Sequence, residues 1–227
     1  VIIEKDLTIK NKKVKNFNEY NNLLRNNKII INQEERKKII VKKFEVLCKS
    51  RNFKEDFNTK LLEEVVNIVE NPNAIIIEFN KEYLKLPQEI IISTLQSHQR
   101  YFPLFENKGK LSNYFFVVTN KPDNKSFIKS GNKRVVEARL SDAKFFWEKD
   151  KSKNLIKQIG KLKDIIYYEK IGTIYDKTQR LRKLASLISD QLNINKEKLE
   201  VAASISKSDL CSDLVGEYPE LQGTMGK

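Results

Sequence analysis

A chain of 227 residues, 40% hydrophobic and 32% charged, is long enough to bury a core in one large domain or two small ones without covalent staples. No apolar run approaches the ~20 residues that span a bilayer, and two cysteines with a single histidine exclude a disulfide scaffold and a Cys/His zinc site by count. Forty-three Lys and Arg against thirty Asp and Glu leave a formal charge of +13, which favours a polyanionic partner such as nucleic acid; a proteome-wide enrichment in Lys, Asn and Ile yields the same number.

The chain opens VIIEKDLTIK, with neither an initiator Met nor a secretory or transit pattern, so it is read as starting inside a longer sequence, with a reducing cytoplasm as the expected compartment. FNEYNNLLRNN spaces Phe17, Tyr20, Leu23 and Leu24 for one amphipathic helix, and INQEERKKIIVKKFEVLCKS sets Ile39, Ile40, Phe44, Val46 and Leu47 on a second. TKLLEEVVNIVENP gives a third, stopped by Asn71-Pro72, and the β-branched run Ala74 to Phe79 predicts a buried strand. LPQEIIISTLQSHQRYF predicts a helix with Pro87 early in it, and YFPLFENKGKLSNYFFVVTN predicts a hairpin turning at Gly109. Residues 1–122 thus read as a mixed α+β module. From about Asn124 the apolar residues recur at three and four, so 123–227 is expected to be all helical: Val135, Val136, Leu140, Ala143, Phe146 and Trp147 would line one helix, IYDKTQRLRKLASLISDQL a second and KEKLEVAASISKSDLCSDLV a third.

Phosphate loops of the GxGxxG and GxxxxGK[ST] types do not occur. NKRVVEARLSDAKFFWEKD interleaves Lys133, Arg134, Arg139 and Lys144 with Phe145, Phe146 and Trp147, a composition suited to holding phosphates and stacking bases. Helical geometry offers a second reading, an aromatic core face opposite a solvated basic one. Lys207-Ser208-Asp209-Leu210 stands where a metal phosphohydrolase of the HD type would need His-Asp; the lysine cation opposes a divalent metal, and the lone His98 cannot complete such a site.

Four collinear segments carry a resemblance: LPQEIIISTLQSHQRYFPLFENKGKLSNYFFVVTN, SGNKRVVEARLSDAKFFWEKD, EKIGTIYDKTQRL and SKSDLCSDLVGEYPELQGTMGK. In this order they resemble the β subunit of the bacterial two-subunit glycyl-tRNA synthetase, from about Leu86 to the end and more weakly before it. The resemblance implies an α+β fold, with a module similar to the B3/B4 domain of phenylalanyl-tRNA synthetase over 1–122 and the start of a metal-free HD-like helical domain over 123–227, inside which the chain is cut. It implies a noncatalytic part of an enzyme that attaches glycine to tRNA(Gly): ATP, Mg and glycine are bound by the α subunit, and the β chain binds tRNA and assembles with α, in an α2β2 hetero-oligomer away from membranes. No catalytic or metal residue carries over. Arg134, Arg139 and Lys144 are candidates for acceptor-arm phosphates on composition, contacts that position without specifying sequence; Tyr218, Pro219 and Leu221 are expected to pack the HD-like domain. Two alternatives stand beside this reading: an editing-type hydrolase with a pocket near His98 or Arg100, for which the smallest amino acid gives little need, and a structural scaffold without RNA contact.

Overall fold

The computed structural model describes residues 13–227 except Phe57, so the opening VIIEKDLTIK lies outside the described residues. The chain divides into two compact units, one of residues up to Leu84 with Leu95–Glu137, the other of Lys85–Thr94 with Ala138–Lys227.

In the first unit, helices α1 (Phe17–Asn26), α2 (Gln33–Arg51) and α3 (Thr59–Ile68) each begin at an asparagine. Asn16, Asn32 and Asn58 accept from the backbone N–H three residues on, satisfying a donor that the first turn leaves unpaired. Arg36 ties the pair α2 and α3 together, donating to the carbonyls of Ile30 at 2.6 Å, Ile31 at 2.7 Å and Val66 at 3.0 Å. Strand β1 (Asn73–Glu78) follows the predicted apolar run. Helix α4 (Gln88–Ser93), which belongs to the second unit, begins just after Pro87, which makes no side-chain cap bond, and passes into a π-helical turn over Thr94–His98. Back in the first unit, β2 (Phe102–Phe105) and β3 (Leu111–Thr119) form the predicted hairpin, with Gly109 at φ +79 in its turn, a backbone region open to glycine at no steric cost. The antiparallel sheet runs β1-β3-β2. Its one face packs Phe102, Leu104 and Phe116 on Ile40, Phe44 and Cys48 of α2 and Leu62, Val65 and Val66 of α3. Phe44 and Phe102 meet the Phe116 ring edge-on, at 5.1 and 5.8 Å.

Helix α5 (Phe127–Lys151) starts where the Asp123 carboxylate accepts from the Ile128 and Lys129 N–H groups at 3.1 and 2.8 Å. Val136, Leu140 and Ala143 are its buried line; Val135 and Phe145 are 43% and 62% exposed, which corrects their assignment to the buried stripe and aromatic core face. The second unit continues through α6 (Leu155–Gln158) and a 3-10 turn over Ile159–Asp164.

There the all-helical expectation for 123–227 is corrected: β4 (Ile166–Tyr168) and β5 (Gly172–Thr173) form a small antiparallel hairpin. The Ile-Ile-Tyr-Tyr run has β-branched and aromatic character, and Gly172, at φ +101, closes the turn. Thr173 then opens α7 (Ile174–Leu192) with a reciprocal capping box to Asp176, and a Cβ on Gly172 would come within 2.5 Å of Asp176 Oδ2. Helices α8 (Lys196–Ile205) and α9 (Asp213–Glu217) complete the fold, capped by Asn195 and Ser212. The architecture is α+β, helix-rich with small antiparallel sheets.

Candidate nucleic-acid interface

Helix α5 does not gather the three basic residues singled out in the sequence. Arg134, Arg139 and Lys144 stand five residues apart, and on a helix of 3.6 residues per turn each step rotates by about 140°. Three directions result, with no common basic face. Arg134 is exposed, Arg139 is half-buried and faces Glu217 at 3.5 Å, and Lys144 is half-buried.

The densest alternation of cations and aromatic rings lies instead around the β4–β5 hairpin and the first turns of α7. Lys177 Nζ sits 3.9 Å from the centroid of the Tyr167 ring, and Lys163 Nζ 5.0 Å from that of Tyr175. Arg180 donates to the Ile171 carbonyl at 3.2 Å. Lys161 and Lys170 are exposed on the same segment, and none of these five cations forms an ion pair within 4.0 Å among the described residues. The neighbouring carboxylate, Asp176, is committed to the cap: it accepts from the Thr173 N–H and hydroxyl at 2.8 Å each, and these bonds hold its carboxyl below the usual range. Tyr168 is 61% exposed and Ile166 69%. Ammonium groups steadied against rings, beside uncovered aromatic surface, suit a nucleic-acid backbone and unpaired bases. Sequence reasoning passed over this ridge. Its signal was present in KLKDIIYYEKIGTIYDK, where three tyrosines stand among four lysines.

Asp209, in the Lys207-Ser208-Asp209-Leu210 run, is 3% exposed and has a structural task. Its carboxylate accepts from the Gly223 N–H at 2.5 Å, and Gly226 lies so close that an added Cβ would meet the Asp209 carboxyl carbon at 3.0 Å. Among the described residues no group of three or more His, Cys, Asp or Glu could hold a metal ion. Tyr218 and Leu221 of the closing motif are packed too, and Pro219 is not. Tyr218, 1% exposed, donates its hydroxyl to the Arg139 carbonyl at 3.2 Å, Leu221 is buried, Pro219 is exposed, and Glu220 accepts from the Ser93 hydroxyl. Asp150 receives the Asp213 and Leu214 N–H groups at 3.0 and 2.8 Å, fastening α9 to the end of α5. Lys149 and Lys153 both donate to Asp213 and hold its carboxyl down to about 2.

Near His98 the first unit has an open pocket of about 320 Å³ lined by Lys60, Glu64, Gln96 and Arg100. The Arg100 guanidinium is taken up by Glu64 at 2.7 Å and by the Ser97 carbonyl, with its backbone at φ +59; His98 is half-buried in the π-turn. Neither cysteine lines this pocket. Burial pushes the Cys48 thiol up to about 12, with Glu55 adding to it, which keeps the group protonated and unreactive at neutral pH.

A family model described as glycyl-tRNA synthetase beta subunit matches residues 4–227. The glycine--tRNA ligase beta subunit of Thermodesulfovibrio yellowstonii is 46% identical over 200 residues, covering 87% of this chain and 30% of that protein. Those of Clostridioides difficile and Dictyoglomus thermophilum are 43% and 41% identical, each over 94% of this chain and 31% and 32% of their own lengths. The chain therefore spans about a third of the curated relatives it matches, and no helix among its described residues is long and apolar enough to cross a membrane. With the match running from residue 4 to residue 227, the chain belongs to the glycyl-tRNA synthetase beta subunit family.

Proposed function

We propose that this chain serves ATP-dependent attachment of glycine to tRNA(Gly) as a noncatalytic part of the β subunit, binding tRNA and the catalytic α subunit. The observation that carries the reading is the family match over residues 4–227. Around it stand the +13 charge and the unpaired cations of the β4–β5 ridge. In this reading ATP, Mg and glycine are bound by α, in an α2β2 assembly in the cytoplasm. The three-stranded module corresponds to a B3/B4-like domain, and the helical remainder to the start of an HD-like domain whose surviving aspartate has become a loop anchor. The tRNA contact is to phosphates: Lys163, Lys177 and Arg180 take the backbone as a group, with Arg134, Arg139 and Lys144 as separate single contacts along α5.

Phosphate contact releases counterions, so log K falls linearly with log salt, by roughly 0.9 per phosphate neutralised on a duplex. Titrating tRNA(Gly) into the chain between about 50 and 200 mM salt, with and without the α subunit, tests the reading. Steeply salt-dependent binding that tightens with α is expected; absence of binding at the lowest salt, with α present, contradicts it.

A further inference from the structure

The first unit carries a second place where cations and rings meet, an open cavity of about 740 Å³ lined by Arg51, Asn52, Phe53, Glu106, Lys108 and Tyr114, among others. Its walls are fixed by hydrogen bonds between the end of α2 and the β2–β3 hairpin. Asn52 ends α2 in the left-handed region at φ +60, Lys54 N–H donates to the Phe105 carbonyl at 2.8 Å, and the Asn107 amide donates to Asn52 Oδ1 at 2.7 Å. The end of α2 is thereby stitched to the tip of the β2–β3 hairpin. On that floor the Tyr114 ring packs against Phe53 at 5.4 Å, and the Arg51 guanidinium carbon lies 5.8 Å from the Tyr114 centroid.

The charges around the cavity are unevenly satisfied. Lys49 and Lys54 are paired with Glu55 and Asp56. Arg51, Lys108 and Lys110 form no ion pair among the described residues, and the Glu106 carboxylate accepts no hydrogen bond among them. The Arg51 guanidinium, near the outer reach of cation–π contact with Tyr114, is planar and suits stacking by a flat π system. An ammonium at a hairpin tip suits a phosphate, while a bare carboxylate repels a lone phosphate and accepts from an exocyclic amino group. Cation, plane and acceptor together describe an amino-bearing base joined to a phosphate.

We propose that this cavity holds an adenine, cytosine or guanine from a single-stranded stretch of RNA, stacked on Arg51, its amino group on Glu106 and its phosphate at Lys108. The proposal rests on the tRNA-binding reading above and adds to it a site in the other unit, for unpaired nucleotides.

The test is fluorescence anisotropy of the 227-residue chain with a six-nucleotide RNA of A and C, with oligo(U) of equal length, and with intact tRNA(Gly). The A/C hexamer is expected to bind more tightly than oligo(U). Arg51→Lys, which keeps the charge and removes the plane, weakens it roughly tenfold with an unchanged salt slope, as loss of a stacking partner does. Glu106→Gln narrows the preference over oligo(U). Hexamer binding unaffected by Arg51→Lys and by Tyr114→Leu overturns the site, as does a hexamer that fails to bind at low salt. The tRNA arm, run with and without the α subunit, separates the two levels: tRNA bound and hexamer unbound refutes the cavity alone, and neither bound with α present refutes the RNA reading as well.

Discussion

Replacing Asp209 by alanine asks whether this buried aspartate is a piece of structure. The carboxylate is 3% exposed, accepts the Gly223 N–H at 2.5 Å and is packed by Gly226. A hydrogen bond to a charged group contributes about 1.5–3 kcal/mol, and deletion also leaves a cavity where the carboxylate sat. Asp209→Ala should therefore lower the urea-unfolding free energy by roughly 2–3 kcal/mol. Asp209→Asn, which keeps an acceptor oxygen in place, should lose about half of that, since the charge assistance alone is gone. Equilibrium urea unfolding followed by circular dichroism measures both, with an unchanged m-value showing that only stability has moved. An alanine variant as stable as the parent would refute the structural account. So would an asparagine variant that costs as much as alanine, because the retained acceptor would then count for nothing.

Asp213 has a folded pKa held to about 2, below the usual carboxylate range, by Lys149 and Lys153, so its contribution is complete above the unfolded pKa near 4 and is lost as the pH falls toward 2. The full linkage of ~2.4 kcal/mol shrinks to about 1 kcal/mol for a side chain one-third exposed; the stability gap between the parent and Asp213→Asn should therefore narrow from about 1 kcal/mol at pH 7 to near zero at pH 2, and a pH-independent gap would contradict the ion cluster. Gly172→Ala places a Cβ at 2.5 Å from Asp176 Oδ2 on a backbone at φ +101, so the capping box should open and hydrogen exchange in the first turn of α7 should accelerate; unchanged protection there would show that the turn relaxes without strain.

Local patterns made the first unit legible. The stripe in α3 and the β-branched run of β1 are decided by near neighbours, and ENKGK carries the turn chemistry that Gly109 adopts, whereas Phe17 and Val46, placed on the apolar stripes of α1 and α2, are 69% and 59% exposed. The β4–β5 hairpin was missed because strands of three and two residues are too short to show an alternation, and its turn leans on a capping carboxylate four residues past Gly172. Composition drew attention to α5, where basic residues are dense in sequence; the helix then turned Arg134, Arg139 and Lys144 apart. The lysine–tyrosine contacts needed the fold, since Lys177 meets Tyr167 only after the chain has turned through the hairpin and entered α7. Asp209 shows the same limit, bonded to a residue fourteen positions later that no periodicity connects to it.

The most direct test of the tRNA-binding account is the salt dependence of tRNA(Gly) binding to Lys163→Gln/Lys177→Gln beside the parent chain. Both lysines are held over rings and outside ion pairs, so neutralising them should spare the fold and reduce the slope of log K against log salt by about 2, one for each phosphate released. A double variant that binds with the parent's affinity and slope would contradict the account and remove the β4–β5 ridge from the tRNA interface.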